Sequence, residues 1–181
     1  MKLHTEHITE NSNYWNNVNI LAKEAFPPEE YIEPAKLVEM AKADNFDFLA
    51  LKDEDSFVGF MVVLTYENLA YLFFLAIVSS CRSKGYGSRA IETLKAEYPE
   101  KKQVVDFEML DDSANNSVQR ERRRNFYLRN GYKETGFFLS YLGVDYEVFC
   151  MDDDFDQETF KAMMKTIQVK GFKPKYFCKT N

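Results

Sequence analysis

Residues 71–94, YLFFLAIVSSCRSKGYGSRAIETL, set the fold. Tyr71 to Val78 is an apolar run dense in aromatic and aliphatic side chains, the pattern of a buried strand. Small and polar residues follow. From Gly85-Tyr86-Gly87-Ser88 onward, Ala90, Ile91 and Leu94 recur at helical spacing, so the stretch predicts strand, turn, helix. Glycines at such a turn let the backbone approach a ligand with no Cβ in the way. The first N–H groups of the helix point outward, with the positive end of its dipole behind them. That combination is a phosphate cradle, and Arg82 and Lys84 add two cations at its lip.

Upstream, residues 2–9 alternate weakly and predict a short first strand. Asn11 or Ser12 can cap a helix with Tyr14, Trp15, Val18, Leu21, Ala22 and Ala25 on one face, and Pro27-Pro28 stops it. Glu29, Glu30 and Glu33 form an acidic loop, and Pro34 opens a second helix striped by Leu37, Val38 and Ala41. From Phe46 the period shortens. Phe46 to Ala50 and Phe57 to Thr65 predict two strands, with turns at Asp53–Ser56 and Glu67-Asn68, so they and the opening strand should be antiparallel neighbours.

Downstream, Val104 to Met109 predicts a strand parallel to Tyr71–Val78 through a right-handed helical crossover. Ser117 to Asn130 reads as a helix closed by Gly131, and Tyr132–Leu142 and Asp145–Met151 as a hairpin around Gly143. Asp152-Asp153-Asp154 is expected to cap a last helix striped by Phe160, Met163, Met164 and Ile167. The tail, with Phe172, Tyr176 and Phe177, either folds back on the body or meets a partner chain, as in a homodimer. The expected class is α/β, a mixed sheet of six to seven strands flanked by helices, with residues 1–151 as the domain and 152–181 as an extra helix and tail packed on it.

A chain of 181 residues that is 45% hydrophobic is the size of one domain with a substantial core. Its net charge of −6 disfavours general nucleic-acid binding, and the run Arg120 to Arg124 lacks the interleaved aromatics of an RNA-binding surface. Cys81, Cys150 and Cys178 are odd in number and widely spaced, which speaks against a disulfide framework or a metal site. The N-terminus lacks a signal-peptide core and no run approaches the ~18 apolar residues that span a bilayer, so the expected setting is cytoplasmic, with no membrane partner.

Two motifs stand about forty residues apart with a strand between them: Arg82-Ser83-Lys84-Gly85-Tyr86-Gly87 and Phe126-Tyr127-Leu128-Arg129-Asn130-Gly131-Tyr132. With the antiparallel meander before them and the hairpin after, the chain resembles the GNAT superfamily of N-acetyltransferases over roughly residues 1–151. The resemblance implies acetyl-CoA as co-substrate and direct attack of an amine on its thioester. It further implies that the backbone of Arg82, Ser83, Lys84, Gly85, Tyr86, Gly87 and Ser88 holds the CoA pyrophosphate. Leu75, Ala76 and Ile77 would run beside the pantetheine arm, the Ile77 amide donating to the thioester carbonyl, where a preorganised donor gains strength as charge develops. Tyr127 would be the general acid toward the departing thiolate, and Glu108 the base, directly or through a water. Asp106 is the same-face neighbour of Glu108 under strand alternation. The family pattern often places an asparagine about two turns before the helix tyrosine. Arg120 stands there in this chain, within an arginine run that reads as a solvated face from which one member could reach the adenosine phosphates.

Other readings compete. Gly85-x-Gly87-x-x-Ala90 also fits the dinucleotide fingerprint, with Asp106 about 20 residues on, where a ribose-binding carboxylate is expected. Against that, the glycines lie well past the strand end and too little chain remains for a second βαβ half. A module that binds acyl-CoA without turnover is the other alternative. For the acceptor, the acidic loop with Glu29 and Glu30 suggests the amine of a cationic small molecule or of a peptide.

Overall fold

The computed structural model describes residues 2–28 and 30–178. The chain divides into two units, the first formed by residues up to Thr65 together with Leu72–Glu100, the second by Tyr66–Tyr71 and the residues from Lys101 on.

In the first unit, β1 (His4–His7) pairs antiparallel with β2 (Phe46–Asp53), and β2 with β3 (Ser56–Tyr66), in a register from Phe46↔Leu64 to Asp53↔Ser56. Beside β3 runs β4 (Leu69–Ile77), present in this unit from Leu72. Phe48 to Leu51 and Val58 to Leu64 (Gly59 set aside) are buried without alternation, which is why these strands read as continuous apolar runs rather than a period of two. Helix α1 (Trp15–Ala25) buries Val18, Leu21 and Ala22 and ends before Pro27, and α2 (Pro34–Met40) carries its proline in the first turn. Phe26, just past α1, packs on Phe60 and Phe74 with ring centroids 6.2 and 4.5 Å apart. Helix α3 (Tyr86–Glu97) buries Ala90, Ile91 and Leu94, and its Thr93 hydroxyl accepts the Leu3 N–H at 2.9 Å.

In the second unit the order is the start of β4, then β5 (Lys102–Glu108), β7 (Val144–Cys150), β6 (Lys133–Tyr141) and β8 (Lys175–Cys178). The start of β4 neighbours β5 in the sheet, and α3 lies between these two strands in the chain order. β5 pairs antiparallel with β7 and β7 with β6, around a turn where Leu142 and Gly143 both have positive φ. Helix α4 (Ser117–Arg129) ends at Gly131, whose φ of 92° suits the residue after a helix. Helix α5 (Gln157–Met164) buries Phe160, Met163 and Met164.

Eight strands are formed among the described residues, where six to seven were expected. The added one is the tail: β8 pairs with β6, Phe137↔Cys178 to Ser140↔Lys175, and Tyr176 and Phe177 stack on Phe137 and Phe138. The cap of α5 also differs from expectation. Asp156, extended at φ −99°, accepts the N–H groups of Glu158 and Thr159, whereas Asp153 and Asp154 of the acidic triplet pair with Lys133 and Lys102. Among the described residues no helix is long and apolar enough to cross a membrane.

Candidate functional site

The glycine-bearing turn of the first unit is built as an anion cradle. After β4 the chain makes a single 3-10 turn, Ser79–Cys81, then passes through Ser83 at φ 61° and Gly85 at φ 82° before α3 begins. Gly85 is the helix N-cap, and its left-handed conformation is one that a side chain disfavours. Among the described residues, Arg89 is the first of the helix to donate back, to the Gly85 carbonyl at 3.1 Å, and the amides from Ser83 to Ser88 meet no backbone carbonyl. A row of unspent donors at the positive end of a three-turn helix is suited to a pyrophosphate.

The side chains around that turn are held from below. Arg82 donates its Nε–H to the Ile77 carbonyl at 3.0 Å and pairs with Glu24 at 3.1 Å, so its guanidinium spans the end of β4 and the end of α1. Tyr86 donates its hydroxyl to Asp53 at 2.7 Å, and Arg89 grips the same carboxylate with two bonds of 2.9 and 2.6 Å. The Arg89 and Tyr86 donors keep the Asp53 carboxyl well below the usual carboxylate range, and the same contact raises the Tyr86 phenol. A cavity of about 530 Å³ opens beside these residues, Glu54 and Ser56. Lys84 and Ser83 are exposed.

Along β4, Leu75 and Ile77 are half-buried and Ala76 is buried. Opposite Ala76 stands Gly59 of β3. A Cβ there would lie 2.2 Å from the Ala76 carbonyl oxygen and 3.1 Å from the Ile77 side chain. The missing side chain is what allows β3 to approach β4 at the residues expected beside the pantetheine arm.

In the second unit, Tyr127 is the buried residue of α4, 7% exposed. Its ring stacks on Phe107 of β5 at 5.1 Å and meets Phe126 and Tyr132 edge-on. Burial pushes the phenol up to about 12, with Arg123 opposing and the Asp106 charge adding to the rise, so it stays protonated at neutral pH. The ring is fixed and the phenol is neutral.

Glu108, the base that the resemblance implies, is enclosed by donors. It is buried at the end of β5, with Arg123 at 2.8 Å, Arg120 at 3.2 Å and the Asn116 amide at 3.0 and 3.3 Å from its two oxygens. Arg120 also donates to the Met109 carbonyl at 2.9 Å and to the Asn116 side chain at 2.8 Å. Both carboxylate oxygens are thus taken up by donors from the first half of α4. Arg124 pairs with Glu134 and, at 3.3 Å, with the buried Glu147, and lies over the Phe149 ring. The expectation of a solvated arginine face is therefore corrected: Arg120, Arg123 and Arg124 turn toward the sheet while Arg122 stays exposed. A signal was present, since positions 120, 123, 124 and 127 fall on one helical face, the face of Tyr127.

Glu30 sits in a turn with its N–H on the Pro27 carbonyl at 3.0 Å, and Glu29 lies outside the described residues. Among the described residues no group of His, Cys, Asp and Glu is arranged to hold a metal ion.

Residues 44–134 match the family model of the acetyltransferase (GNAT) domain. No curated protein matches the chain. Among solved structures, a Bacteroides thetaiotaomicron protein described as a GNAT-family acetyltransferase is similar at a TM-score of 0.69 and 23% identity, over 88% of this chain and 93% of that one. An aminoglycoside 6′-N-acetyltransferase in complex with coenzyme A superposes at 0.63 and 20% identity, over 84% and 99%. The Escherichia coli ribosomal-protein-S18-alanine N-acetyltransferase does so at 0.56 and 13%, over 86% and 97%. At these identities the likeness is one of fold.

Proposed function

Because the chain belongs to the GNAT family of acetyltransferases, we propose that it moves an acetyl group directly from acetyl-CoA to a primary amine of a small molecule or a peptide. The observation that carries this reading over mere acyl-CoA binding is Tyr127, a buried phenol held by three aromatic rings and kept protonated by its surroundings. The similar aminoglycoside acetyltransferase is complexed with coenzyme A, which supports the choice of co-substrate.

In this mechanism the amides from Ser83 to Ser88, with Arg82 and Lys84 at the lip, receive the pyrophosphate, and Leu75, Ala76 and Ile77 border the pantetheine arm. The amine nitrogen attacks the thioester carbon, the carbonyl oxygen gains charge toward the Ile77 N–H, and the carbon–sulfur bond then breaks. Tyr127 gives its proton to the thiolate and recovers one from solvent. Glu108, whose oxygens are occupied by Arg120, Arg123 and Asn116, holds α4 and with it Tyr127; the proton of the amine passes to water.

The test is free-thiol release from acetyl-CoA across polyamines, amino acids, aminoglycosides and peptides. Release is expected with at least one amine, its kcat/KM rising with pH toward the pKa of that amine. Tight acetyl-CoA binding without release against the whole panel would instead make the protein a non-catalytic acyl-CoA-binding module.

A further inference from the structure

Helix α3 is tied to β2 at both of its ends by a phenol that donates to a carboxylate. At the cradle end, Tyr86 donates its hydroxyl to Asp53 at 2.7 Å, and Arg89 closes on the same carboxylate with bonds of 2.9 and 2.6 Å. At the far end Tyr98, the residue that caps α3, donates to Asp47 at 2.6 Å. The two tethers stand roughly 18 Å apart along the helix axis.

Asp53 is itself held in place. It ends β2 and pairs with Ser56 across the turn of Glu54 and Asp55, so its backbone belongs to the hairpin. Tyr86 opens α3 and Arg89 follows three residues later on the same face, with its guanidinium over the Tyr86 ring at 4.9 Å. The amides of the cradle, by contrast, point out along the axis from the helix N-terminus. Their strength depends on their aim, since a hydrogen bond weakens steeply as it bends. Burial seats the next turn, at Ala90 and Ile91; the polar hold on the first turn is Asp53. This carboxylate stands near an anion cradle without opposing it, because Arg89 is matched to it. The pair supplies direction and leaves the field of the helix N-terminus in place.

We propose that Asp53 is a positioning residue of the acetyl-CoA site: through Tyr86 and Arg89 it fixes the first turn of α3, and with it the direction of the amides that receive the pyrophosphate. The proposal rests on acetyl-CoA as co-substrate, and deepens that reading by naming a residue outside the glycine motif that sets the affinity.

The probe is CoA, titrated calorimetrically into the full chain. Asp53→Ala should raise its dissociation constant at least about tenfold, the size of one hydrogen bond to a charged group. Asp53→Asn, which keeps one acceptor oxygen, should fall between Asp53→Ala and the unaltered protein. Tyr98→Phe cuts the far tether, so it should lower the urea midpoint and leave CoA affinity within about twofold. With an amine that supports thiol release, Asp53→Ala should raise the KM for acetyl-CoA far more than it changes kcat. An Asp53→Ala protein that keeps its CoA affinity, or gains affinity through the released Arg89, would overturn the proposal. An equal loss in Tyr98→Phe would overturn it too, by marking a general loosening of α3. Failure of the unaltered chain to bind CoA would remove the co-substrate reading and the role of Asp53 with it. CoA binding without thiol release would remove the transfer reaction and leave the tether standing.

Discussion

Tyr127 sets two expectations of opposite kinds. As general acid, its replacement by Phe should lower kcat by about 10²-fold with the acetyl-CoA dissociation constant unchanged, because the ring remains and only the proton is lost. Equal kcat in single-turnover assays would make it a packing residue. As a buried phenol it also links stability to pH. Its folded pKa of about 12 stands above the unfolded value near 10, so its contribution is complete below pH 10 and is lost as the pH rises through 12, by about 2–3 kcal/mol. Tyr132, fully buried beside it, shifts in the same direction. Urea midpoints should therefore fall between about pH 10 and 12, and fall less in Tyr127→Phe. Tyr127 was legible from its motif, whereas the setting of Glu108 was not. Sequence shows that a carboxylate ends β5, but the guanidiniums that meet it come from positions 12 and 15 residues later and are placed by the packing of α4.

At the scale of elements, the contact between β3 and β4 narrows at Gly59. Ala at this position would drive a Cβ against the Ala76 backbone carbonyl, and backbone yields less readily than a side-chain tip. Gly59→Ala should cost about 1–3 kcal/mol, the usual range for overpacking, and should weaken acetyl-CoA binding because the displaced residue borders the proposed pantetheine path. Chemical denaturation and acetyl-CoA titration check the two effects, and a variant of unchanged stability would show that β3 gives way freely. The glycine is plain in the sequence but its reason is not: a strand glycine marks a close approach without naming the partner. The tail is the converse case. Its aromatics suggested packing on the body or on a partner chain, yet pairing with β6 required Phe137 and Phe138 to present rings to Tyr176 and Phe177 across the strands.

For the molecule as a whole, the choice of ligand separates the two cofactor readings. A ligand that binds the folded chain alone raises the melting temperature by mass action, by about 2.7 kcal/mol of stability at one hundred times its dissociation constant. Acetyl-CoA should produce that rise and NADH should not. A shift with NADH alone would return the glycines to the dinucleotide reading. What the sequence determined by itself was the order of elements and the family they belong to, because the periods of two and 3.6, the proline stops and the two motifs are written in neighbouring residues. What only the tertiary structure decided was which charges meet: three arginines turned onto the sheet, Glu108 held between two of them, and Asp106 bonded by Tyr71 and Tyr141 from two other strands. Those pairings join residues far apart in the chain, and at that separation it is packing, not local spacing, that brings side chains together.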